Sequence, residues 1–180
     1  MRRRTKLITA IGLGGLAAAA SAIVAVAGAH ADEARTTGKD KGAEVAQLRV
    51  LSTGLAQQAA QAAFETCTDQ GHRVTVSVVG RDGGLLALVR NEQAGPASID
   101  SATGKAYASV GFRAPSGNLG EAAKTNPGLL QMPRFVVLRG GLPISSAGEV
   151  IGAIGVGGAP GGDLDEACAK VGVDRIAGDL

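Results

Sequence analysis

The chain of 180 residues has no tryptophan, one tyrosine (Tyr107) and three phenylalanines, Phe64, Phe112 and Phe135. A nucleic-acid surface built on base stacking needs a richer aromatic supply. Histidine is nearly as scarce. His30 and His72 are the only two, which excludes a cage of several histidines around a metal. No GxSxG, HExxH or Walker A pattern occurs. The glycine run Gly152–Gly162 fails the GxGxxG test, because Pro160 stands where the last glycine belongs and no βαβ crossover accompanies it. Cysteine is limited to Cys67 and Cys168, and neither sits in a CxxC, so a redox motif or zinc knuckle is not indicated.

What is present reads as one globular domain: 45% hydrophobic residues, 19% charged residues and 28 glycines. Four of the 18 basic residues lie in the first six positions, which leaves 14 against all 16 acids in the rest. The basicity therefore belongs to the N-terminus, and a nucleic-acid partner is not expected. Residues 1–31 carry a positive start (RRRTK), an uncharged apolar run from Leu7 to Ala29, and a small-x-small site at Ala29 and Ala31. That is the pattern of a secretory signal peptide cleaved after Ala31, with an uncleaved membrane anchor as the other reading. Secretion is thus expected, with residues 32–43 as a flexible mature N-terminus and 44–180 as the domain. Outside a reducing cytoplasm the two cysteines read as a disulfide, or else as two buried thiols.

Periodicity predicts a long helix from about Glu44 to Asp69, then a hairpin of Arg73–Val79 and Leu85–Arg90 around a glycine turn. A helix capped by Ser98 or Asp100 follows and is broken at Ala114 and Pro115. After it come a short helix through Leu119 and strands over Phe135–Leu138, Leu142–Ser145 and Glu149–Val156. Asp163 is the expected cap of a last helix. Pro143 places its strand at an edge. Hairpins without βαβ units imply an α+β domain in which helices cover an antiparallel sheet. The first and last helices are expected on one face, with Cys67 near Cys168.

Several marks recur in a fixed order: Val74–Val79 with Arg81–Gly84, Ser101 and Ala102 before Lys105–Tyr107, and Ala114 with Pro115. They continue with Met132 and Pro133 before Phe135–Leu138, Gly140–Ile144, and Ile151–Gly158 with Gly161–Asp163. Over roughly Leu48–Val173 this set resembles the GlcG/HbpS family, whose secreted actinobacterial members are haem-binding proteins. The resemblance implies a profilin-like antiparallel sheet flanked by helices. It also implies a homo-oligomer, an octamer among the secreted members, and a role in haem binding, haem breakdown, iron handling and signalling to a membrane sensor kinase.

Carried over residue by residue, the resemblance brings Asp100 as a metal ligand, but Thr103 stands where that branch has a second carboxylate. The branch has a hydroxyl residue after an Ile-Pro-Gly, near the haem iron. Here the run is Met132, Pro133, Arg134 and Phe135. The candidate haem-binding set is therefore Lys105, Tyr107, Met132, Arg134 and Phe135. Tyr107 is a candidate to line the pocket, Lys105, Arg113 and Arg134 are either propionate partners or solvated surface charges, and Met132 is either a substitute iron ligand or a core-packing residue. His72 reads as a surface histidine at a strand entry. Asp163, Asp165 and Glu166 crowd a helix N-terminus, where carboxylates complement the dipole. No acid–base pair is visible, so any haem breakdown would be slow and driven by the cofactor. The alternatives are a paralogue that has lost haem and acts as an interaction module, and an enzyme on another small molecule.

Overall fold

The computed structural model describes residues 46–180. The expected signal peptide, the mature N-terminus and the start of the first helix at Glu44 lie outside the described residues. The first helix, α1, spans Thr53–Asp69, and the Ser52 side chain caps it by accepting from the Leu55 N–H. It therefore begins later than its apolar spacing suggested, and Leu48, assigned to its stripe, is exposed. Strands β1 (Thr75–Gly80) and β2 (Leu85–Arg90) form the expected hairpin. Then come helices α2 (Ala97–Phe112) and α3 (Ser116–Ala123), a 3-10 turn at Pro127–Gln131, and strands β3 (Gly141–Ser146) and β4 (Glu149–Gly157). Helix α4 (Gly162–Ile176) follows.

The four strands form one antiparallel sheet in the order β2-β1-β4-β3. Pro143 lies in β3, an edge strand, where its missing N–H costs least. Helices α1 and α4 cover one face and α2 the other. Alternation along β1 sorts its side chains accordingly. Val76 and Val78 join the core under α1 and α4, while Thr75, Ser77 and Val79 meet α2. Within the α1/α4 core Cys67 and Cys168 form a disulfide with a Cα separation of 5.7 Å. On the other face α2 presses onto β4 at Gly155, where a Cβ would strike the Ala102 carbonyl and come within 2.7 Å of the Ala106 nitrogen.

Three expectations are corrected. The run Phe135–Leu138 is not a strand, because β3 already occupies the sheet edge beside β4. The run crosses the outer side of α2 instead. There the Val136 N–H donates to the Gly104 carbonyl, and Phe135 and Val137 pack with Ala108, Leu119 and Leu129. Ser98 and Asp100 do not cap α2, whose N-cap is Pro96. Ser98 is buried, with its hydroxyl 2.7 Å from that of Thr75. Nor does Asp163 cap α4, whose N-cap is Gly161.

Candidate functional site

One stripe of α2 is built for a close neighbour. Asp100, Thr103, Gly104, Tyr107 and Gly111 recur at helical spacing, and the segment 132–137 lies across them. A Cβ at Gly104 would come 2.5 Å from the Val136 Cγ2 and 3.0 Å from the Arg134 carbonyl. One at Gly111 would come 3.3 Å from the Phe135 ring. These two glycines let the segment settle directly on the helix. Asp100, Thr103, Gly104, Arg134, Phe135 and Val136 line a shallow cleft of about 250 Å³.

Beside this cleft the scarce aromatics gather. Phe135 meets Tyr107 edge-on at 5.6 Å between centroids and Phe112 at 5.5 Å. Such pairs add about 0.5–1.5 kcal/mol each beyond their buried area. Gly83, at φ +76° in the β1–β2 turn, lies against the Tyr107 ring, and a Cβ there would collide with the ring. The Arg134 guanidinium lies 3.9 Å above the ring centroid. Arg134 itself has φ +67°, a left-handed conformation that few residues other than glycine adopt. A cation over a ring at an exposed site contributes about 0.5–1 kcal/mol, so the contact is readily exchanged. Among the described residues neither the Tyr107 hydroxyl nor the Arg134 guanidinium has a hydrogen-bond partner, and no carboxylate pairs with Arg134. The result is an amphipathic shelf of rings meeting edge to face, with a cation over one of them.

Asp100, Tyr107, Arg134 and Phe135 thus lie in one neighbourhood, with Thr103 between them. Met132 sits at the entry to the segment, where its carbonyl accepts from the Phe135 N–H, and it is half-exposed rather than packed in a core. Asp100 is exposed, and among the described residues no three His, Cys, Asp or Glu side chains converge as a metal site.

Lys105 is the main correction. Expected as a surface cation for propionates, it faces away from the shelf and is only 2% exposed. Its Nζ donates to Asp165 Oδ2 at 2.6 Å and to the Val156 carbonyl at 2.9 Å. This pair joins α2 to α4 past Gly140 at the end of the sheet. Asp165 also accepts from the Ala159 N–H. Burial pushes its carboxyl above the ordinary value of 3.8, and the hydrogen bond and charge of Lys105 oppose that shift. By sequence Asp165 is one of three acids near a helix N-terminus, with Asp163 and Glu166. Nothing in the sequence ties position 165 to position 105. Gly83 and Phe112 were missed as well, since their roles come only from what the fold sets beside them.

With this geometry established, comparison with known proteins places the chain. The family described as haem degrading protein HbpS-like matches residues 51–174. A solved structure of Streptomyces reticuli HbpS, a double Glu-to-Asp variant, is 40% identical. The match covers 74% of this chain and 91% of that one, with a TM-score of 0.72. A Klebsiella pneumoniae protein named ORFY is 27% identical, over 74% of this chain and 95% of that one, with a TM-score of 0.70. An uncharacterized 15.0 kDa protein from the dhaT-dhaS intergenic region of Citrobacter freundii is 32% identical, over 62% of this chain and 82% of that protein. By the extent of the family match and the shared four-stranded architecture, the chain belongs to the HbpS-like family.

Proposed function

We propose that this protein binds haem, or a closely related tetrapyrrole, on the α2 shelf, and that it handles haem and iron outside the membrane as a homo-oligomer. The observation that carries the reading is the cluster of Phe135 edge-on to Tyr107 with Arg134 over the Tyr107 ring, in a chain of an HbpS-like family. The residues fit the group in kind: aromatic rings offer burial to a planar macrocycle, Arg134 offers a charge partner for a propionate, and Tyr107 offers a free hydroxyl. They fit it only in part by size. About 250 Å³ is below the roughly 300–1,000 Å³ of clefts that enclose a drug-sized ligand. The shelf therefore supports one edge or face of a porphyrin, and a second copy of the chain covers the rest.

Bound haem supplies a redox-active iron. The chain supplies orientation and partial exclusion of water, and Phe135, standing where the haem-binding branch has a hydroxyl, gives the iron no lone pair. The basic and apolar N-terminal pattern and the Cys67–Cys168 disulfide support work outside a reducing cytoplasm. A membrane sensor kinase is the partner that the family resemblance suggests. A second reading, a ligand-free interaction module, is favoured by one observation: Arg134 covers the face of Tyr107. Haem titration separates the two. A Soret shift that saturates at a fixed ratio of haem to chain supports haem binding, and a featureless, unsaturating absorbance supports the module.

A further inference from the structure

We propose that Arg134 is a carboxylate-operated latch on the shelf: its guanidinium covers the Tyr107 ring until a ligand carboxylate draws it off, so the shelf selects planar ligands that carry carboxylates. The inference rests on reading the shelf as a tetrapyrrole site, and it assigns the specificity of that site to one residue.

Three observations carry it. The guanidinium lies 3.9 Å above the ring centroid, in the space a planar ligand needs for stacking on Tyr107. The left-handed backbone at φ +67° aims the side chain there, although no hydrogen bond or carboxylate holds its head among the described residues. Asp100 lines the same cleft and forms no ion pair with it. Of the other cations assigned to ligand carboxylates, Lys105 is committed to Asp165 and buried, and Arg113 does not line the cleft. Charge selection at the shelf therefore falls to Arg134.

The exchange has a definite direction. A weak, exposed cation–ring contact gives way to a charge-assisted pair, which is stronger and can be bidentate. A planar ligand without a carboxylate must displace the guanidinium and gives nothing back. Such a ligand binds against the latch, whereas one with a free carboxylate binds with it.

The test compares protoporphyrin IX with its dimethyl ester, on the full chain and on Arg134→Gln and Arg134→Lys. Absorbance gives the affinities. Fluorescence and near-ultraviolet dichroism of Tyr107, the only tyrosine in a chain without tryptophan, report the cover on the ring. The native chain should favour the diacid by about tenfold, the scale of one charge-assisted contact. Arg134→Gln should bring the preference close to unity, bind the ester at least as tightly as the native chain, and change the Tyr107 signal before any ligand is added. Arg134→Lys should keep most of the preference. A diacid preference that persists in Arg134→Gln overturns the latch while leaving the shelf intact, and so does weaker ester binding by that variant. Binding of neither porphyrin to any of the three proteins overturns the shelf itself.

Discussion

Single residues set the shelf and the tie between α2 and α4, and one of each is open to direct test. Gly83 holds φ +76° against the Tyr107 ring. Gly83→Ala imposes a left-handed backbone cost of roughly 1–2 kcal/mol, to which the collision with the ring adds. The expected result is a lower denaturation midpoint together with a changed Tyr107 fluorescence. An unchanged spectrum would mean that the ring is held by something else. Asp165 is the second. Asp165→Asn leaves either the Lys105 ammonium or the Ala159 N–H without its acceptor oxygen, a loss of about 1–3 kcal/mol. Replacing both members by apolar residues of similar volume should recover much of that loss.

The pH dependence of this pair follows from the raised carboxyl. A folded-state value above the unfolded one means that the native state holds the proton more tightly. The contribution of Asp165 is then complete below the ordinary carboxylate range and declines as pH rises through the raised value. The stability advantage of the native chain over Asp165→Asn should accordingly be larger near about pH 3.5 than at pH 7, as read from denaturant midpoints at the two values. An advantage that grows with pH would contradict the assigned direction.

At the scale of elements, the disulfide joins α1 and α4 across a separation of 101 residues. The chain-entropy description gives about 4.7 kcal/mol for a loop of that size. Cys67→Ala with Cys168→Ala should therefore lower the thermal midpoint by many degrees, as calorimetry would register, and intact α1–α4 packing should keep the fold recognisable by circular dichroism. Most elements were legible in the sequence because their periods are clean. The alternation of β1 and β2, and the spacing of three and four in α4, admit one reading each. The run Phe135–Leu138 was not legible. Four apolar residues fit a strand as well as a strap across a helix, and only the glycines at 104 and 111 and the occupied sheet edge decide between them. The helix starts were misplaced for a related reason. Ser98 and Asp163 have capping side chains, but the fold gives Ser98 to Thr75, and Gly161 takes the cap of α4.

At the scale of the whole molecule, one sheet separates the α1/α4 core from a smaller core under α2, and a third cluster joins α2, α3 and the 132–137 segment. The face under α1 and α4 holds the disulfide and the large aliphatic residues, and the Lys105–Asp165 pair ties this side to α2 at the end of the sheet. The outer side of α2 is left for the shelf. The family resemblance located Tyr107, Arg134 and Phe135 there because they stand in a motif. It misdirected Lys105, since a motif position does not reveal which way a helical side chain points. A shelf too small to enclose a porphyrin also predicts assembly. Sedimentation of the full chain should give a homo-oligomer that persists or tightens when haem is added, and a monomer that binds haem with full affinity would contradict shared cover.

Where haem sits can be measured without presuming the answer. In a ¹⁵N-labelled sample titrated with iron(III) haem, the paramagnetic iron broadens the amide signals nearest to it. Saturable loss should fall first on Asp100–Gly111 and on residues 132–137, with Gly83 next and the α1–α4 core spared. Broadening centred instead on the Gly158–Leu164 loop or on β2, or no saturable broadening at all, would contradict the assignment of the α2 shelf as the haem site.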